Sequence, residues 1–308
     1  MTSSATHPMQ RVLSGHDRFP YRPITQRPDY SWPDGNRLAV YIGFNLEHFE
    51  FGAGLGAKLA PSNEPDVLNH AWREYGNRVG AWRCLDLFAH LDIPIGALIN
   101  TALYDHAPQL MAALRSRGDE IIGHGHTNAD RQNTGSEDDE RQLIAACTAR
   151  ITAMEGVAPR GWLSPWIAES ATTPDLLQEC GYDYTLNWCH DDQPMPMATR
   201  QGSLWAVPYP QELNDIPMLV ARQLDMAPFA QMIEDQFDEM LRQSAEQPLV
   251  MGIALHPYLV GQPYRLKLLR QALQAIRRRG QAWWTTPGAI VNHVQAIDLQ
   301  LALATPQP

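Results

Sequence analysis

The chain has 308 residues, enough for one large domain or two modest ones. A folded chain of that size buries roughly 75% of its extended surface, so it needs no disulfide staples. Its 44% hydrophobic content, with 9 Trp, 10 Tyr and 7 Phe, is that of a globular protein, and 24 Lys and Arg against 34 Asp and Glu leave a net charge of −10. That balance repels phosphate backbones and anionic lipid, which excludes nucleic acid and membrane surfaces as general partners. No apolar run approaches the roughly 18 residues of a bilayer span. Met1 to Tyr21 is polar and has no apolar signal core, so the expected location is cytoplasmic. The four cysteines, Cys84, Cys147, Cys180 and Cys189, contain no C-x-x-C pair and read as isolated thiols, the first two on apolar helical stripes.

The first 36 residues have no period and are expected to form an irregular arm packed on the domain that follows. Arg37–Leu46 is an apolar run that reads as a buried strand, and Tyr75–Leu91 places Ala81, Cys84, Leu85, Phe88 and Leu91 at helical spacing. Ile93–Ile99 reads as a strand, and the helix marked by Ala107, Leu110, Met111 and Leu114 stops at Gly118. A short strand at Glu120–Ile122 runs into a Gly/His-rich loop, after which Ile144, Cys147, Ile151 and Met154 stripe a helix ending near Gly156. A strand at Arg160–Leu163 precedes a helix opened by Thr173-Pro174. Strands follow at Tyr182–Trp188 and Leu204–Val207, then a helix through Phe229, Ile233, Phe237 and Met240, and a strand at Leu249–Leu255. A basic helix over Leu266–Arg279, a strand at Ala282–Thr285 and a helix capped by Thr286-Pro287 complete the pattern, leaving 301–308 as a tail. About seven β-α units over 37–300, without a linker, predict one α/β domain: a barrel or a doubly wound parallel sheet.

Polar and aromatic residues cluster just past the carboxyl ends of these strands, where α/β barrels build their sites. They are Asn45, Glu47 and His48; Asn100; His124 and His126; Ser164 and Trp166; Asn187 to Asp192; Glu212 to Asp215; and His256. Glu47 suits a ligand, a general base or a helix-capping acid. His124-Gly125-His126-Thr127-Asn128 puts two imidazoles and an amide on one loop, a weak signal for a divalent ion. His256 ends an almost wholly apolar strand and is placed to give a proton to a leaving group. The absence of G-x-G-x-x-G, Walker, G-x-S-x-G and H-E-x-x-H patterns leaves nucleotide-binding, serine-hydrolase and zincin readings unsupported.

Four segments carry a resemblance: Trp32-Pro33-Asp34-Gly35-Asn36-Arg37-Leu38-Ala39-Val40, Arg73 to Arg83 (REYGNRVGAWR), Ala158-Pro159-Arg160-Gly161-Trp162-Leu163-Ser164-Pro165, and Leu255 to Pro263 (LHPYLVGQP). In this order they resemble the polysaccharide deacetylase superfamily. Within it they resemble the subgroup of metal-independent allantoinases, cyclic-imide hydrolases and some peptidoglycan deacetylases, over about Arg18 to Ala296. The resemblance implies a distorted (β/α) barrel of about seven parallel strands. It also implies a hydrolase of non-peptide carbon–nitrogen bonds, with Glu47, His124 and His256 as catalytic residues. Asn45, His126, Ser164, Trp166, Glu212, Asn214 and Asp215 are the expected substrate contacts.

Two departures bear on the chemistry. Deacetylases of the superfamily carry Asp-x-Asp or Asp-Asp on the first strand and His-x-x-x-His on the third. Here Asn45-Leu46-Glu47 and His124 to Asn128 stand there instead. Glu47, His124 and Asn128 would form a poor zinc or manganese site, since an amide oxygen is a weaker donor than imidazole. The expectation is therefore no cofactor, or a weakly held divalent metal. The expected reaction is water attack on an amide carbonyl of a small cyclic substrate: an imide, a hydantoin-like ring or a ureide. Alternatives are a metal-dependent N-deacetylase of a small sugar or amine, and a non-catalytic ligand-binding barrel. The resemblance also implies a homodimer or homotetramer.

Overall fold

A computed structural model describes residues 16–299 and Leu303. The first fifteen residues of the expected arm, and the tail apart from Leu303, lie outside the described residues. Strand β1 (Leu38–Leu46) is buried along its whole length because both of its edges are paired. β8 (Leu249–Leu255) runs along one edge from Leu38 to Phe44. The other edge is shared between β9 (Ala282–Thr285), against Leu38 to Tyr41, and β2 (Ile95–Ile99), against Ile42 to Leu46. A strand enclosed this way is apolar on both faces, which is why it reads as a continuous hydrophobic run. Its even-numbered residues, Leu38 to Leu46, pack under the helices, while Ala39 and Tyr41 face an inner cluster with Leu98, Ile122 and Val250.

From β2 the sheet continues through β3 (Glu120–Gly123), β4 (Gly161–Trp162), β5 (Tyr184–Thr185) and β7 (Gly202–Ala206), all parallel. β6 (Met195–Thr199) adds an antiparallel edge on β7, an element the sequence pattern did not indicate. The sheet curls into a half-barrel, eight of whose strands run parallel where about seven were expected. Between β7 and β8 the gap is spanned by irregular chain. The Ala254 N–H donates to the Leu213 carbonyl at 2.9 Å, and the Val250 N–H to the Asp192 carbonyl at 2.8 Å. These bonds bring the segment around Asn214 against the end of β8.

The helices pack outside, among them α1 (Val67–Tyr75), α2 (Ala81–His90), α3 (Leu103–His106), α4 (Pro108–Arg117) and α5 (Glu137–Glu155). The chain then adds α6 (Thr173–Glu179), α7 (Met226–Gln243), α8 (Pro257–Val260), α9 (Pro263–Arg279) and α10 (Pro287–Ala296). Gly118 and Gly156 end α4 and α5 in the left-handed conformation, as their positions predicted. The expected single helix Tyr75–Leu91 is instead α1 and α2 joined by a π-turn at Gly76–Gly80. A Cβ on Gly80 would lie 2.1 Å from the Pro257 carbonyl oxygen, and one on Gly76 would lie 2.9 Å from the Tyr258 nitrogen. Only glycine allows this backbone contact, which seats α8, and Tyr258 with it, at the strand ends. The arm is anchored by Arg18 to Asp175 at 2.6 Å, Arg27 to Asp191 at 2.5 Å, and Trp32 Nε1 to the Leu249 carbonyl at 3.0 Å. No helix of the described residues is long and apolar enough to cross a membrane.

Candidate active site

At the carboxyl ends of the strands a cleft of about 170 Å³ is lined by Asn45, Glu47, His124, Asn128, Trp166, Asn214 and His256 from the expected set. Phe49, Leu163, Ile167, Tyr209, Ile216, Pro217 and Tyr258 add walls that strand-end reasoning had not singled out. Glu47 leaves the end of β1 and is buried. Its Oε1 accepts from Asn128 Nδ2 at 2.5 Å, and its Oε2 accepts from the Tyr258 hydroxyl at 3.3 Å. Two imidazole nitrogens, His124 Nε2 and His256 Nε2, each lie 3.6 Å from Oε1. Burial alone would raise the Glu47 pKa. The charge of His256 and the closeness of both imidazoles outweigh it and hold the carboxyl down at about 2. Glu47 therefore stays ionised at neutral pH.

The histidines are fixed by different acceptors. His124 Nδ1 lies 2.7 Å from the Leu163 carbonyl, which can only accept, so Nδ1 carries the proton and Nε2 turns to the cleft. Nε2 is buried without a hydrogen-bond partner. His256 instead donates both its backbone N–H (2.7 Å) and its Nδ1–H (2.6 Å) to Asp215, whose carboxylate is fully buried behind it. Burial works against a charged His256, but the carboxylates of Asp215 and Glu47 outweigh it and raise its pKa to about 10. The cleft thus holds a carboxylate flanked by the His256 imidazolium and by the His124 ring, whose Nε2 has no hydrogen-bond partner.

Asn128 decides the metal question. The Asn100 Oδ1 accepts from the His48 backbone N–H at 2.8 Å, which turns the Asn100 amide nitrogen toward Asn128. That nitrogen donates to the His124 carbonyl and, at 3.0 Å, to Asn128 Oδ1. Asn128 therefore presents its N–H, not its oxygen, to Glu47. A divalent ion needs about three firm protein ligands. Glu47 and His124 could supply two, but Asn128 fills the third place with a donor. The residues do not fit the metal that the deacetylases' ligand pattern implies, and the set Glu47, His124 and Asn128 is corrected to a hydrogen-bonded cluster.

Other expected contacts lie outside the cleft. Glu212 points to solvent and pairs with Arg222 at 2.9 Å. His126 is exposed, with Nδ1 3.0 Å from the Thr101 hydroxyl. Ser164 is buried and does not line the cleft: its N–H donates to Asn187 Oδ1 at 2.8 Å and its hydroxyl accepts from Asn187 and Trp162. Asp215 lies behind His256, fully buried and hydrogen-bonded to it. Asn45 remains at the cleft floor, its Nδ2 3.0 Å from the Tyr209 hydroxyl. Tyr209 reaches it by crossing Gly43, where an added Cβ would lie 3.1 Å from the ring. Trp166 and Ile167 both adopt positive φ (62° and 53°), a strained turn costing about 1–2 kcal/mol per residue that directs Trp166 Nε1 to the Asn128 carbonyl at 3.0 Å.

Strand ends that converge on buried acid and imidazole groups make a candidate active site, and comparison with known proteins shows what the chain is similar to. Residues 74–185 match the polysaccharide deacetylase family model. A Schizosaccharomyces pombe protein assigned to the polysaccharide deacetylases is 26% identical, the match covering 86% of this chain and 91% of that one. The peptidoglycan deacetylase of Helicobacter pylori is 22% identical over 78% of this chain and 91% of its own. Among solved structures, Puue allantoinase superposes with a TM-score of 0.77 at 24% identity, covering 94% of this chain and 96% of that one. Residues 74–185 thus carry a polysaccharide deacetylase domain, and over most of its length the chain is similar to hydrolases that act on carbon–nitrogen bonds other than peptide bonds.

Proposed function

We propose that this chain opens an amide bond of a small cyclic substrate, such as an imide, a hydantoin-like ring or a ureide, without a catalytic metal. The observation that carries this reading is the Asn128 N–H, 2.5 Å from Glu47 Oε1, standing where the deacetylases of the superfamily have a ligand histidine. The cleft size agrees with it. About 170 Å³ compares with the roughly 150 Å³ that holds a single aromatic ring in a protein interior. The walls are apolar and the polar groups gather at the floor. The similarity to an allantoinase fold supports the same choice.

The roles follow from proton affinities. A carboxylate held at about 2 is too weak a base to keep a proton taken from water. Glu47 instead orients the water between itself and His124 and stabilises the imidazolium that forms when His124 Nε2 accepts the proton. Attack on the carbonyl carbon then places negative charge on the substrate oxygen beside the His256 cation. As the carbon–nitrogen bond breaks, His256 gives its Nε2 proton to the departing nitrogen, and the proton held by His124 restores it by way of solvent. Asp215 keeps His256 protonated and correctly turned. The test is a panel of cyclic imides, allantoin and N-acetyl sugars, each with and without chelator. Ring opening that survives chelation is expected. Turnover of N-acetyl sugars alone, lost with chelator and restored by zinc or manganese, would overturn the proposal.

A further inference from the structure

Immediately beyond Glu47 the chain builds a second imidazole–carboxylate group on the outer side of the strand end. His48 follows β1, Glu74 lies near the end of α1, and His106 closes α3. One ligand atom of each lies within 4.8 Å of the others, and this is the group of metal-binding side chains that the described residues assemble. His106 Nε2 is 3.0 Å from both oxygens of Glu74, and the rings of His48 and His106 have centroids 4.4 Å apart. His48 Nδ1 is buried with no hydrogen-bond partner. Glu74 is buried while His106 keeps 31% of its side chain exposed, which gives an ion a path in from solvent.

We propose that His48, Glu74 and His106 form a divalent-cation site suited to zinc, which braces the end of β1 against α1 and α3. Two imidazoles and a carboxylate are a donor set that zinc accepts, with water in the remaining position. Zinc bonds of about 2.0–2.1 Å to tetrahedral ligands put the donor atoms roughly 3.3 Å apart. The His106–Glu74 pair already meets that spacing, and side-chain rotation of His48 closes the remainder. The backbone of His48 is held in place on both sides. Its N–H is held by Asn100 Oδ1 at 2.8 Å, and its carbonyl accepts the Asn128 N–H at 2.9 Å. Arg78, whose Nε is 3.2 Å from Glu74 Oε2, is largely exposed and can swing away. An ion here would hold the residue next to Glu47, outside the cleft and independent of the reaction proposed above.

The test is calorimetric titration of the full, chelator-stripped chain with zinc chloride, with native mass spectrometry for stoichiometry and thermal melting as a second readout. One zinc per chain is expected. His48→Ala and His106→Ala should each weaken binding at least about tenfold. His124→Ala and Asn128→Ala should leave it unchanged. Zinc should raise the melting temperature of the natural chain and not that of His106→Ala, whose exposed position makes misfolding an inadequate explanation for lost binding. The proposal is overturned by no binding, by zinc that follows His124 rather than His106, or by zinc retained in both outer variants.

Discussion

Two groups of the same composition stand back to back at the end of β1, one on each side of the Glu47–His48 peptide. In the cleft, Glu47 meets His124 and His256; outside it, His48 meets Glu74 and His106. Residue type does not separate them; their hydrogen-bond partners do. Within the cleft, Asn128 and Tyr258 cap Glu47 and Asp215 keeps a proton on His256. In the outer group Glu74 is held by His106 and by the largely exposed Arg78, and a buried nitrogen of His48 is free of partners. The same residue types thus suit proton transfer where Asp215 fixes a proton on one imidazole, and metal binding where a buried imidazole nitrogen is left with its lone pair unpartnered.

The comparison breaks most severely at Glu47. Glu47→Gln removes the charge that orients water and supports both imidazoliums, and kcat should fall by roughly 10³–10⁴-fold. Steady-state turnover on the best substrate of the panel measures it, and a loss under tenfold would detach Glu47 from the chemistry. Asp215→Asn comes next, with kcat lower by about 10²–10³-fold. Because Asp215 and Glu47 together hold His256 near 10, losing one carboxylate should move the alkaline limb of the pH–rate profile to lower pH. An unmoved limb would assign it to another group.

The same pair makes a stability prediction whose sign is set by two opposite shifts. The Glu47 contribution is complete above its ordinary 4.5 and is lost as pH falls through about 2. The His256 contribution is complete below its ordinary 6.5 and fades as pH rises through about 10. Denaturant midpoints should therefore show the cluster's full effect between about pH 4.5 and 6.5 and decline on both sides. In Glu47→Gln that dependence should flatten, and an unchanged profile would remove the cluster as its source.

Much of this arrangement was legible in the sequence. The nine-residue apolar β1, the terminating glycines at 118 and 156, and a polar residue after nearly every strand all declared the barrel and its rim. What was hidden depended on contacts between distant segments. The break between α1 and α2 needs Pro257 and Tyr258 beside Gly80 and Gly76, and nothing in the local helical period announces it. The amide orientation of Asn128 follows from a chain running His48, Asn100, Asn128 and Glu47, so a reading of residue types alone could not tell ligand oxygen from donor nitrogen. Ser164 lay at a strand end but spends its hydrogen bonds on Asn187 and Trp162.

Asn128→Ala tests that orientation at a smaller scale. It deletes the 2.5 Å donor to Glu47 and should lower kcat by about tenfold, the loss of one charge-assisted hydrogen bond. Chelation should change nothing, and added zinc or manganese should not restore the rate. Cleft metal measured in the active natural chain and missing from Asn128→Ala would reverse the orientation argument and make the two groups alike.

The smallest expected effect comes from Glu212, three residues before Asp215 in the same strand-end segment. Its carboxylate is 67% exposed and pairs with Arg222, itself 56% exposed, at 2.9 Å. Solvent screens such a pair, and exposed pairs of this kind contribute about 0.2–1 kcal/mol. Asp215 is fully buried against His256, so the chain turn between the two residues, and not their place after a strand, decides which one reaches the chemistry. Glu212→Ala should leave kcat/KM within about twofold, and for a chain of this length a loss in that range shifts the melting temperature by no more than about 2–4 °C. A tenfold fall in kcat/KM without a matching fall in melting temperature would mean that Glu212 swings into the cleft when substrate binds, extending the substrate contacts beyond the walls formed by Trp166, Asn214 and Tyr258.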